Sequence, residues 1–193
     1  MKKYGLFIGV DEYEDPGITP LHCAARDARE LAAVFKHKLG FATEVLTDIE
    51  LGRERRRIMP VLRKIGEQLG EGDIFVFFFA GHGKSVGDSD QLFLLPDASS
   101  RALDSGVTSG EGVLSYRLLR AETDHWQGVQ RGFIFDACRL PIHKEDATNR
   151  DGTAAAHFEG EIVYRDPGKG FNKNKKSGTP FIILNSCHDQ GRA

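Results

Sequence analysis

The stretch that most constrains this chain is Ile74-Phe-Val-Phe-Phe-Phe-Ala80, an apolar run with no polar break. Its length and its aromatic and β-branched content are those of a strand. A strand with one wet face would alternate apolar and polar residues. An unbroken run has to be covered on both faces, as a central strand of a parallel sheet is covered by helices. The rest of the chain offers partners of that kind. Leu6 to Val10, Phe41 to Leu46, Phe133 to Phe135 and Pro180 to Leu184 are further short apolar strands. Between them, Ala28, Leu31, Ala32, Phe35 and Leu39 recur at helical spacing over 24–39, and Gly40 stands where a helix C-terminal glycine belongs. Ile58, Val61, Leu62, Ile65 and Leu69 do the same over 53–69, where Pro60 marks a kink or a later helix start. A short strand or hairpin is expected at 92–95 and a short helix at 114–122. This alternation predicts an α/β fold with a mainly parallel central sheet flanked by helices.

The bulk properties narrow the class. With 193 residues the chain fits one domain, 1–193, with a sizeable core. Its hydrophobic and charged fractions, 40% and 28%, are those of a globular protein. A formal net charge of −2 gives no basic field for nucleic acid. No apolar run reaches membrane-span length, and the N-terminus lacks the pattern of a signal peptide. Three cysteines, Cys23, Cys138 and Cys187, do not make a disulfide framework, so a reducing cytoplasm is the expected compartment. Residues 140–178 show no sustained periodicity. A loop of that length inside a domain is usually functional or disordered.

Two of the strands run into residues that can do chemistry. One continues as Ala80-Gly-His82-Gly83, the other as Asp136-Ala-Cys138-Arg139, with His82 lying 56 residues before Cys138. Open α/β sheets place their sites at strand carboxyl ends. There an imidazole can take a thiol proton and later return it to a leaving amine. Glycines on both sides of His82 let backbone pass close to a substrate. The Gly83 and Cys138 amides are candidate donors to an oxyanion. A cysteine after an apolar strand is also often a small core residue, and a Gly-His-Gly turn often only a turn. On these residues alone both readings stay open.

The Ala80-Gly-His82-Gly83 and Asp136-Ala-Cys138-Arg139 segments resemble those of the caspase-like cysteine peptidases, a superfamily that includes caspases and metacaspases. Gly5-Leu-Phe-Ile-Gly-Val10 with Leu21-His-Cys-Ala-Ala-Arg-Asp27-Ala28 resembles the family's first strand and helix, and Leu46-Thr-Asp48 the end of its second strand. The resemblance implies a three-layer caspase-like sandwich and a cysteine endopeptidase with Cys138 as nucleophile and His82 as general base. Gly83 and Cys138 amides would form the oxyanion hole. In this family the residue two before the cysteine lines the pocket for the side chain preceding the scissile bond. Caspases have glutamine there and metacaspases aspartate. Asp136, with Asp27 as a second acidic pocket residue, implies cleavage after Arg, with Lys second, because paired carboxylates hold a guanidinium bidentately. Asp27 also suits a plain helix N-terminus. Ala80 stands where metacaspases commonly have serine, and Leu140-Pro141 replaces a usual glycine.

The remaining expectations concern accessories. No cofactor is expected. Asp88, Asp90 and Asp97 lie where some metacaspases bind calcium, without EF-hand spacing. Cys187-His188 could join Cys138 and His82 in a zinc site, but paired ligand spacings are lacking. The 140–178 segment corresponds to an activation-type loop. Its Arg150, Arg165, Lys169, Lys173, Lys175 and Lys176 make self-cleavage chemically feasible. The family continues past the fifth strand, so the chain is expected to be incomplete at its C-terminus. It would be joined in its parent protein to a regulatory or sensor domain, with roles in stress, cell-death or antiphage signalling. Its partner would be a protein or peptide substrate, not nucleic acid or membrane. The alternative to a peptidase is a catalytically silent caspase-like scaffold.

Overall fold

A computed structural model describes residues 1–53, 58–86, 90–100, 112–138, 161–165 and 181–186. Asp88, Arg150, Lys169, Lys173, Lys175, Lys176, Cys187 and His188 lie outside the described residues, as does most of 140–178. In chain order the elements are β1 (Lys3–Gly9), α1 (Ala24–Leu39), β2 (Ala42–Thr47), α2 (Asp48–Arg53), α3 (Ile58–Gly66), β3 (Ile74–Val86) and β4 (Asp90–Leu94). There follow β5 (Val113–Ser115), α4 (Tyr116–Thr123), β6 (Gln130–Cys138), β7 (Glu161–Arg165) and β8 (Phe181–Ser186).

The sheet is ordered β2-β1-β3-β6-β8-β7. Its first five members run parallel, and β7 joins antiparallel at the edge. The apolar run is the first half of β3, between β1 and β6. Its odd positions, Phe75, Phe77 and Phe79, point into one core with Ile58, Leu62 and Ile65 of α3 and Leu119 of α4. Phe78 and Ala80 point into a second core with Ala24, Ala28 and Ala32 of α1. Three layers follow: α1, the sheet, then α3 with α4. Burial on both faces is the condition the unbroken run imposed.

Local chemistry sets the boundaries. Gly40 closes α1 in the left-handed region, at φ 72°. Glu50, in the first turn of α2, reaches back to Thr47: its Oε2 accepts from the Thr47 N–H at 2.8 Å and from the Thr47 hydroxyl at 2.7 Å. Pro60 sits in the first turn of α3, where a missing N–H costs nothing.

Several elements differ from the sequence expectation. Within the expected helix over 53–69, the described helical residues end at Gly66, and α2 (Asp48–Arg53) is a helix that was not expected. Strand β3 runs past its apolar half through Gly81-His82-Gly83 and pairs antiparallel with β4 from Gly83 to Val86. Strand β6 begins at Gln130, because Arg131 is taken inside. It is 5% exposed, and its Nη1 donates to Asp124 Oδ1 at 2.7 Å and Thr123 Oγ1 at 3.3 Å. Strand β5 and, within the segment expected as loop, strand β7 carry too little pattern to be predicted.

Gly9 ends β1 where α1 crosses it. A Cβ there would lie 2.6 Å from Ala25 Cα and against the Ala24 carbonyl, both main-chain atoms that cannot yield. Gly70 has open space around it. Gly9→Ala is therefore expected to cost about 1–3 kcal/mol or more. Gly70→Ala should stay within roughly 0.5 kcal/mol of the parent. Urea unfolding midpoints of the two variants check the contrast.

Candidate active site

The connectivity itself creates a crevice. From β1 the chain crosses over α1 to β2 on one side, then over α3 on the opposite face to β3 on the other. The strand order therefore switches between β1 and β3, and loops leave that point in opposite directions. Two segments meet there: residues 11–20 after β1, and the Gly81-His82-Gly83 stretch of β3.

The loop after β1 is tied down along its length. The N-cap position of α1, Cys23, offers no side-chain cap. Asp11 supplies one from a distance: its Oδ1 accepts from Ala24 N at 2.8 Å and its Oδ2 from Ala25 N at 3.1 Å. Asp48, at the start of α2, accepts the Asp11 and Glu12 amides on Oδ1 at 2.9 and 3.1 Å. Burial raises the Asp48 pKa, while those amides act in the opposite direction. Asp15 accepts from the Ser100 amide and hydroxyl, each at 2.8 Å, and from Gly17 N. None of these roles was drawn from the sequence. The one available signal was negative: an α1 with no Ser, Thr, Asp or Asn at its N-cap needs a cap from elsewhere.

That fixed loop holds His82. The imidazole Nε2 lies 2.7 Å from the Thr19 carbonyl oxygen. A carbonyl only accepts, so Nε2 carries the proton and Nδ1 of the neutral ring is left basic. The His82 main-chain N–H donates to the Tyr13 hydroxyl at 2.9 Å, and the two rings lie 5.2 Å apart. Burial lowers the His82 pKa from its ordinary 6.5, against the opposing effect of the Thr19 bond. Gly81, at φ 153°, is required: a Cβ there would lie 3.0 Å from the Phe79 ring in a backbone conformation side chains rarely adopt.

The β3–β6 ladder decides which residues face each other. Ala80 is the register partner of Asp136, and His82 of Cys138. Partners in adjacent parallel strands are about 4.8 Å apart along the hydrogen-bonding direction and share a sheet face. By alternation from Phe78, positions 80, 82, 136 and 138 fall on the α1 side. Asp136 is half-buried, one step back along β6. Asp27 lies in the first turn of α1, flanked by Ala24 and Ala28, which pack against Ala80. Its carboxylate is 39% exposed and 3.6 Å from Arg26 Nε. Gly83 falls on the opposite face, paired with Phe93 of β4, where a Cβ would meet Ala137 at 3.0 Å. The fold thus brings His82, Cys138, Ala80 and Asp136 together, with Asp27 on the covering helix and Gly83 at the β3–β4 turn-off. Of the aspartates considered for calcium, Asp90 begins β4 and Asp97 follows it. Among the described residues no group of three or more His, Cys, Asp or Glu side chains is arranged to hold a metal ion. No helix among them is long and apolar enough to cross a membrane.

Comparison with known proteins gives a consistent outcome. The Caspase domain family matches residues 2–193. No match is found among curated protein sequences. Among solved structures, protein GSU0716 from Geobacter sulfurreducens is similar at 25% identity with a TM-score of 0.56, over 72% of this chain and 51% of that one. The structure of pro-sf-caspase-1 aligns over 95% of this chain and 60% of that one, at 13% identity and a TM-score of 0.48. The chain thus spans roughly half of the first and three fifths of the second of these structures.

The depressed His82 pKa has a stability signature. The folded protein binds fewer protons at this site than the unfolded chain. Its contribution is intact above the unfolded value of 6.5 and is lost as pH falls from there through the folded pKa. His82→Gln should flatten that part of the stability profile. Urea midpoints of parent and variant between pH 7.5 and 5.5 check it, with the parent expected to lose more.

Proposed function

Since the chain belongs to the caspase-domain family of cysteine peptidases, we propose that it hydrolyses peptide bonds by a His82–Cys138 dyad, after arginine and secondarily lysine. The observation that carries this reading is the register pair His82–Cys138 at the carboxyl ends of two central strands, with the imidazole tethered through Nε2. Nδ1 accepts the Cys138 thiol proton. The thiolate attacks the carbonyl carbon of the scissile bond, and the C=O electrons move to oxygen. The Gly83 and Cys138 amides donate to that oxyanion. The imidazolium returns its proton to the departing amine. Water, deprotonated by His82, then releases the acid from the thioester.

Asp136 and Asp27 form the acidic wall of the pocket for the residue preceding the bond. Two partly desolvated carboxylates discriminate against an acidic side chain and favour a planar guanidinium, which offers paired donors. Ala80, the register partner of Asp136, leaves the pocket floor without a hydroxyl. The 140–178 segment, rich in basic residues, is a substrate of the same specificity.

Two fluorogenic peptides differing only in Arg or Asp before the bond test the pocket. The Arg peptide is expected to be cleaved faster, and equal or faster cleavage of the Asp peptide overturns the assignment. Cys138→Ala should abolish hydrolysis, and His82→Ala should lower kcat/KM by roughly 10²–10⁴-fold. Full activity in either variant rejects the dyad, and absence of hydrolysis by the parent favours a silent scaffold. Because burial keeps His82 neutral, the acid limb of kcat/KM should lie below pH 6.5.

Self-cleavage has its own measurement. Mass spectrometry of the incubated parent should show fragments ending at Arg or Lys within 140–178, absent from Cys138→Ala. Identical fragments in both proteins remove the proposal.

A further inference from the structure

Strand β3 outlasts β1. The last β1–β3 register pair is Gly9 with Ala80, and Val10 N then donates to the Ala80 carbonyl at 3.0 Å. Main-chain groups in a strand alternate sides with period two. The Ala80 carbonyl faces β1, so the His82 N–H, two residues on, faces the same edge after β1 has turned away into the 11–20 loop. A partly buried N–H in that position needs an acceptor. Tyr13 provides it with its hydroxyl at 2.9 Å, and the same hydroxyl lies 3.4 Å from the Val10 carbonyl oxygen. Its ring is wedged between the main aromatic core and the smaller cluster of Ile18, Leu92, Leu94 and Ala98, and packs at 40° against the His82 imidazole. The hydroxyl also lies 3.3 Å from where a Cβ on Gly81 would stand.

We propose that Tyr13 is a positioning residue for the reaction: it replaces the strand partner that His82 has lost and fixes the main chain from which the imidazole is aimed. Thr19 sets the ring by its tip and Tyr13 by its base. Two tethers from one loop leave the ring little freedom to turn. The proposal rests on His82 being the general base. It goes beyond that reading in naming a residue outside the dyad.

The test uses the full chain as parent, Tyr13→Phe, His82→Ala and the double variant. Tyr13→Phe keeps the ring and its packing and removes only the hydroxyl, which accepts from the His82 N–H and makes the long contact with the Val10 carbonyl. Kinetics with the Arg peptide should show kcat/KM down roughly tenfold in Tyr13→Phe, mostly in kcat, since small displacements of a catalytic group are costly. In the His82→Ala background the same change should have no further effect, because groups acting through one another are not additive. Hydrogen exchange at the His82 amide, read by NMR, should quicken in Tyr13→Phe whether or not the protein hydrolyses the peptide. Unchanged exchange, unchanged kcat, or an equal loss in the His82→Ala background each overturns the proposal. Full hydrolysis by His82→Ala instead rejects the dyad itself, and the two failures are thereby distinct.

Discussion

The parallel pairing of β3 with β6 is the constraint on which the rest depends. Its ladder runs without a break from Ile74–Gln130 to His82–Cys138. Every pair is fixed by every other, because a slip of one residue would move each side chain to the opposite face. Such a slip would bury Asp136 among the phenylalanines of the α3–α4 core and turn Phe135 toward α1. The aromatic core forbids it. Phe77 lies 6.5 Å from Phe133 and 6.3 Å from Phe135, and Phe93 bridges Phe79 and Phe135 at 4.8 and 4.6 Å. Burial of one such ring stabilises by about 1.5–3 kcal/mol. The pairing of His82 with Cys138 is thus set by aromatic residues that carry no reactive group.

The second constraint is polar and comes from the loop after β1. Asp11, Asp15 and Asp48 satisfy main-chain amides that have no strand or helix partner of their own. Each such bond contributes about 1 kcal/mol net, and leaving its donor buried and unpaired costs more. Asp48 illustrates the balance: burial disfavours its charge, and two amides restore part of what water gave. The result is a rigid wall facing the end of β3. The Thr19 carbonyl fixes the tautomer of His82 from that wall, through main chain and not through another acid.

How much was legible follows from the range of each interaction. The unbroken run 74–80 dictates a covered central strand, and alternation of strands with helical spacing dictates the layers. Both depend on side-chain periodicity along a few residues. The His82 and Cys138 motifs stand out for the same reason, each being a reactive residue at the end of an apolar strand. Arg131 hides the true start of β6, since a charged residue reads as a boundary until its partners, buried Thr123 and the carboxylate of Asp124, are seen. Pro60 reads as a kink or a later helix start, and it lies in the first turn of α3 as that helix is described, from Ile58. Tyr13, Thr19 and Asp11 could not be found at all. Their partners lie 69, 63 and 13 residues away, and the one local signal, an uncapped start of α1, does not say which residue caps it.

The sequence by itself determined that a buried parallel sheet would form, which segments would be its five parallel strands, and which two would end in an imidazole and a thiol. Those are consequences of burial and periodicity, which act along the chain. Only the tertiary structure decided that β3 and β6 are neighbours in the register that sets position 82 opposite 138 and 80 opposite 136. It also decided which imidazole nitrogen is left basic. Both are settled by contacts between segments distant in sequence: a ladder closed by aromatic packing, and one carbonyl oxygen 2.7 Å from a ring nitrogen.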